Sequence, residues 1–561
     1  MSSDLAQTRS DAWRSVLKNR LQDLRRVPDG PHLRDAVLAE LDAANKVIAE
    51  IKTACNSRAP VMKLPNELLV QIFYILPDEW TPYSDYDGSY RKQRLELGWL
   101  NVTFVCSRWR SIALSAASLW TDNDLSLGST WARLFFVRAE CLPISLSGDE
   151  VDTLVSLSDV FETAPHPVIR SLGDLSVGQL LKSALPPPLL FGNLESMQVE
   201  YDDVADHGGE FWGHVSSDLR DLSLDGATNE SHLLDPEEAV AGLALLLARS
   251  NVLEKLTIYG TFLWPLVLSV PTDLPALCVL AIAAASSDCL RLLRALGHPN
   301  NIQRLAIELG SWESADIHGI FEIIRHSSTS SPSDPFTSVG VGRADFFVTL
   351  AAARDSDSDT DIEDMFENDE PPLHYGIMDD LSLCFSMVDD PEDTYECLYA
   401  GMHCLDFAHV RTLRLHNVSP AVEDVLRHYR AMGAVEELRL VGAGLCTVLT
   451  ALGVGIHRAQ GAPGDASPVE SVNLKYTSNV LFPLLRHLAV KYVDFDAQDP
   501  GGSDPPRSVG KALAYALALR AERGIGLERL FLTYCEVDED DLADMSATVT
   551  PTLQGSDMSE E

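Results

Sequence analysis

Ten copies of one six-residue pattern, apolar-x-x-apolar-x-apolar, recur between Leu194 and Leu532. They read LESMQV at Leu194, LRDLSL at Leu219, LEKLTI at Leu253, LCVLAI at Leu277, IQRLAI at Ile302, VRTLRL at Val410, VEELRL at Val435, VESVNL at Val469, LRHLAV at Leu485 and LERLFL at Leu527. Successive copies after Leu219 stand 34, 24 and 25 residues apart, and Val410 to Val435 is again 25. A recurrence of that length marks a stack of like units. The segments before several copies carry helical periodicity: EEAVAGLALLLARS before Leu253, SSDCLRLLRALG before Ile302, AVEDVLRHYRAMG before Val435 and GKALAYALALRAERG before Leu527. Helix, short turn and strand therefore alternate. Iterated right-handed crossovers of this kind stack into an irregular α/β solenoid whose units bury their faces only against their neighbours.

Charge decides which partners such a chain can meet. With 83 acidic against 43 basic side chains, the formal charge is -40. That field repels nucleic acid and anionic membranes, which are met with clustered Lys and Arg, and it favours a basic or neutral partner. The ten cysteines form no CxxC pair and no His/Cys spacing suited to zinc, so no metal or cofactor is expected and the thiols are expected to be reduced. MSSDLAQTRSDAW at the start lacks an apolar targeting core, and the apolar stretch from Thr261 is broken by three prolines and Asp273. The chain is therefore expected in the cytoplasm or nucleus, off the membrane.

The region ahead of the repeats is helical in pattern. Two helices are expected in residues 1–59, parted by PDGP at Pro28 to Pro31. In the second, Leu33, Val37, Leu41, Ala44, Ile48 and Ile51 draw one stripe, suited to packing on the next domain or to a short coiled coil. Next comes LPNELLVQIFYIL, Leu64 to Leu76, in which Pro65 suits a first helical turn and Glu67 the positive end of the helix dipole. The helix is expected to stop at Pro77, a loop to run to Gly98, and helical periodicity to resume in WLNVTFVCSRWRSIALSAASLW. Two acidic segments read as disordered: an insertion near 355–372, where nine of the sixteen residues from Asp355 to Glu370 are acidic, and the tail 536–561. Residues 122–193 connect to the repeats, which span 194–535.

At this point the residues resemble a family. Leu64-Pro65, Glu67-Leu68-Leu69, Ile72-Phe73 and Leu76, followed by Val105-Cys106, Trp109-Arg110, Ile112-Ala113 and Leu119-Trp120, are similar to the F-box motif over residues 60–121. The arrangement resembles the variant of mushroom-forming fungi, in which a short helix precedes the motif and degenerate leucine-rich repeats follow. LPISLSG at Leu142 to Gly148 is similar to a segment that follows the F-box there. The resemblance implies that the F-box docks on the Skp adaptor of a cullin-RING ubiquitin ligase while the repeats present a protein substrate. It assigns adaptor contacts to Leu64, Pro65, Leu68, Ile72 and Phe73, with Trp109 supporting their geometry; Leu69, Leu76 and Ile112 suit the core. Rival roles are an F-box protein acting outside any ligase and a repeat scaffold that no longer binds the adaptor.

No P-loop, HExxH or GxSxG motif occurs, and GVGIHRAQG from Gly453 lacks the third glycine of a dinucleotide turn, so no enzyme is expected. One candidate substrate site remains. Arg414 and Arg439 occupy the same slot of adjacent repeats, about 5 Å apart on neighbouring strands, where an acidic or phosphorylated segment could supply the counter-charge, or Glu436, Glu437 or water could instead. In the insertion, Ser356, Ser358 and Thr360 each have an acidic residue three positions on, a pattern suited to acid-directed kinases or to a passive spacer.

Overall fold

The computed structural model describes residues 2–27, 30–86, 93–148, 168–173, 191–200, 209–225, 236–259, 274–296, 302–328, 338–343, 347–353, 381–386, 399, 405, 407–418, 422–442, 447–449, 451–452, 480–497, 508–549 and 551–554. The chain forms two compact units, Met1–Val168 and Ile169–Glu561. The acidic stretch 355–372, its three candidate phosphorylation positions and the repeat copy at Val469 lie outside the described residues.

The first unit opens with helices α1, Ser2–Leu24, and α2, Pro31–Asn56, which starts on a proline whose missing N-H leaves no orphan donor. No side chain of α2 is buried, and Val37, Leu41, Ile48 and Ile51 are all exposed, so the expected stripe is uncovered rather than packed within this unit. Helix α3, Asn66–Glu79, runs through Pro77 instead of stopping there. Pro65 stands one residue outside it, extended, with its carbonyl accepting from Leu69 N at 3.2 Å. The expected loop contains a hairpin, β1 Tyr83–Tyr86 against β2 Gln93–Glu96.

Gly98 closes that excursion at φ 48°, and a Cβ there would lie 2.4 Å from the Trp80 carbonyl oxygen, so only glycine fits the return. Helices α4, Val102–Val105, and α5, Ser107–Ser115, follow, then strand β3, Asp122–Asp124, helix α6, Ser129–Ala139, and strand β4, Ile144–Ser147, parallel to β3. Trp99, Trp120 and Phe135 pack edge-to-face around one another at 5.0–6.1 Å, all nearly inaccessible to solvent. The indole N-H of Trp120 donates to the Ala113 carbonyl at 2.9 Å, so burying that ring strands no polar group.

In the second unit, nine of the ten repeat copies become strands, each starting two residues after its first apolar position. They are β6 Ser196–Glu200, β7 Asp221–Asp225, β8 Lys255–Tyr259, β9 Val279–Ala284, β10 Arg304–Leu309, β14 Thr412–His416, β15 Glu437–Val441, β16 His487–Lys491 and β17 Arg529–Thr533. Parallel register stacks like residues on like: Leu222, Leu256, Leu280 and Leu305 form one row, and Leu413, Leu438, Leu488 and Leu530 another. All four anticipated helices are present, at Pro236–Arg249, Ser286–Ala295, Val422–His428 and Val509–Glu522.

Three features depart from the expected plan. A strand that is no repeat copy, β5 Ile169–Gly173, pairs with β6. The segment between Ile302 and Val410 contributes strands β11 Ser338–Arg343, β12 Phe347–Ala353 and β13 Leu381–Ser386, giving the order β10-β13-β12-β11-β14 with β12 antiparallel to both neighbours. The tail read as disordered folds over much of its length: helix Glu539–Ser546 buries Met545, and β18, Pro551–Gln554, extends the parallel row beside β17. Its acidic residues were misleading because Glu539, Asp540 and Asp541 sit in the first helical turn, where the dipole favours them. Asp541, buried, accepts from the Ser508 hydroxyl at 2.7 Å.

Candidate functional site

Helix α3 divides its apolar residues between two faces. Leu69 and Phe73 point inward with no exposure, whereas Leu68, Ile72 and Ile75, at i, i+4 and i+7, are 43%, 41% and 61% exposed. That spacing lines them up along one side of the helix. Phe73 meets Trp109 edge-on at 5.2 Å and 60°, tying α3 to α5.

The turn leading into α3 is held from α5. The guanidinium of Arg108 donates to the carbonyls of Met62 and Leu64, the latter at 2.6 Å, and to the Asn66 side-chain oxygen at 2.8 and 3.1 Å. One side chain thus fixes the Leu64-Pro65 step, with Leu64 half-buried and Pro65 exposed. The α5 N-cap is Cys106, whose sulfur accepts from Trp109 N at 3.4 Å. Phe104 and Val105 on α4 also face solvent, at 58% and 55%, and the Arg110 guanidinium lies 5.7 Å from the Phe104 ring centre.

Of the expected adaptor contacts, the structure places Leu68 and Ile72 on one open face, with Pro65 exposed and Leu64 half-buried at its approach. Phe73 is a correction: it fills the core, because a helix with one face on a small unit must commit part of its apolar set inward. Trp109 takes the supporting position against it. Leu69 and Ile112 are buried and Leu76 half-buried. Ile75 and Arg108 were missed. Ile75 was legible as the next position of the Leu68–Ile72 series, but the clamp by Arg108 depends on residues about 45 positions away and leaves no local signal.

Arg414 and Arg439 are register partners on β14 and β15, as the repeat spacing requires. They do not form an open cationic pair. Arg414 is 4% exposed within a strand buried from Thr412 to Leu415, and Arg439 Nε donates to Glu437 Oε1 at 2.8 Å. The counter-charge of Arg439 comes from its own strand, and Arg414 is buried.

Among the described residues no cluster of three or more His, Cys, Asp or Glu could hold a metal, and no helix is long and apolar enough to cross a membrane. Burial pushes the thiols of Cys289 and Cys535 upward, away from the thiolate form a nucleophile needs.

The geometry is that of a small helical domain with an open apolar helix face, and residues 61–126 match the F-box-like family. The matched segment takes in α3, α4, α5 and β3, so the exposed face and the Arg108 clamp both lie inside an F-box-like domain. Among curated proteins no relative matches the chain.

Proposed function

We propose that this protein is the substrate-recognition subunit of a Skp-cullin-F-box ubiquitin ligase. Its F-box-like domain docks on the Skp adaptor, and the unit from β5 to β18, an irregular leucine-rich-repeat solenoid, presents a protein substrate. The ligase chemistry belongs to the partners and this chain is not an enzyme; it acts in the cytoplasm or nucleus. The observation that carries the reading is the row Leu68, Ile72 and Ile75, open to solvent inside the F-box-like match. Covering three half-exposed aliphatic side chains yields on the order of 3 kcal/mol, a useful anchor for a docked helix. F-box domains typically bind Skp-type adaptors, so the partner that covers this face is the adaptor.

The test is co-purification of the intact protein and a Leu68→Asp, Ile72→Asp variant with the Skp adaptor and a cullin. Because both positions are exposed, the variant is expected to keep its fold and lose the adaptor. Capture of adaptor and cullin by the intact chain alone supports the ligase role. Adaptor without cullin moves the reading to an F-box protein outside a ligase, and capture of neither leaves a repeat scaffold.

A further inference from the structure

Four neighbouring strands of the second unit, β14 to β17, end alike. The residue directly after β14, β15, β16 and β17 is Asn417, Gly442, Tyr492 and Tyr534, and each has a positive φ, of 50°, 107°, 57° and 51°. The turns form a row: Asn417 N donates to Val441 O at 2.8 Å, Gly442 N to Lys491 O at 2.9 Å and Tyr492 N to Thr533 O at 3.2 Å. Asn and Gly accept the left-handed conformation readily, and the first two turns use them. Tyrosine does not. The turn needs the backbone angle but has no use for the ring, and both rings remain about half exposed, Tyr492 at 48% and Tyr534 at 46%. They stack on each other, centres 5.3 Å apart and planes within 10°.

Beside this pair the Lys491 ammonium lies 4.9 Å from the Tyr492 ring centre and already uses that ring as a cation–π partner. Two residues beyond each tyrosine stand Asp494 and Glu536, both exposed and joined as parallel bridge partners, so two like charges sit side by side. Asp496 and Asp538, likewise exposed, follow two residues further on. A guanidinium suits both features, since it stacks on aromatic faces and pairs with carboxylates. Nucleic-acid bases could stack on the rings, but their phosphates would be repelled by the carboxylates.

We infer that Tyr492 and Tyr534, with the paired Asp494 and Glu536, form a docking surface for an arginine-bearing basic segment of a partner protein. This rests on the second unit being the part that presents a substrate, and it is independent of adaptor docking. The probe is a fluorescein-labelled Gly-Arg-Gly-Arg-Gly-Arg-Gly peptide, with its lysine and glutamate counterparts, titrated by anisotropy into the full-length chain at physiological salt. The Tyr492→Asn, Tyr534→Asn variant keeps the net charge and places a turn-tolerant residue at each strained position. It is expected to keep or raise the Tm and to bind the arginine peptide at least about tenfold more weakly than the intact chain. The intact chain should rank arginine over lysine and reject glutamate. A second variant, Asp494→Asn with Glu536→Gln, should also lose the arginine peptide, which keeps the test decisive if the tyrosine variant folds poorly. Equal binding by intact and tyrosine-variant chains would mean that bulk charge alone holds the peptide and would overturn the inference, as would no binding by the intact chain. In either case adaptor capture measured on the same samples reports separately on the F-box reading.

Discussion

At the scale of single residues, long polar side chains hold what the apolar pattern only outlines. Arg108 ties the turn before α3 to α5 through two backbone carbonyls. Replacing it with alanine strands both acceptors, so Arg108→Ala should cost about 2 kcal/mol in urea unfolding and weaken adaptor capture through a displaced Leu64-Pro65 step. Asp288, in the first turn of helix Ser286–Ala295, has its carboxyl pushed above the usual 3.8, chiefly by burial and further by Asp316, against a pull from Arg291. The folded state therefore holds this proton more tightly than the unfolded state, and the residue's contribution to stability is lost as pH rises through the raised carboxyl range. Asp288→Asn should unfold at a higher temperature than the intact chain at pH 7, with the gap closing as pH falls toward 3.8, as thermal melts across that range would show. Leu68 and Ile72 were marked by the resemblance to the F-box motif, and their exposure follows from the side of α3 that they occupy. Phe73, one position beyond Ile72, was misread because spacing alone does not say which face meets the core.

At the scale of elements, the strands were legible at the nine hexapeptide copies among the described residues, since two inward apolar residues per strand suffice to fix register against an identical neighbour. In the second unit the strands outside the pattern, β5, β11, β12, β13 and β18, were not legible, because alternation in one isolated short strand has nothing to be compared with. The tail shows the cost of judging by charge alone. Helix Glu539–Ser546 is capped by Asp538, whose side chain accepts from Asp540 N, and is anchored by Met545 and by Asp541 on Ser508. Met545→Ala should lower stability by about 2–4 kcal/mol, and deletion of residues 536–561 should destabilise the second unit. A disordered tail would leave the melting temperature unchanged under both.

At the scale of the molecule, a net charge of -40 works against compactness through self-repulsion. Raising salt from low to physiological levels should therefore raise the unfolding temperature, in a scan read by circular dichroism, while weakening any arginine peptide bound at Tyr492 and Tyr534. The two responses have opposite sign and the same origin. The antiparallel strand β12 has a different consequence. On either side of it, paired residues lie 21 to 50 residues apart along the chain, Leu256 with Leu280 at 24 and Leu438 with Leu488 at 50, but across it Leu305 pairs with Leu381 and Ser338 with Thr412, separations of 76 and 74 residues. Zipping from one repeat to the next can thus run quickly within β5–β10 and within β14–β18, and must wait for long loops to close before the two runs join, so the assembly of the sheet has a kinetic seam at β11–β13.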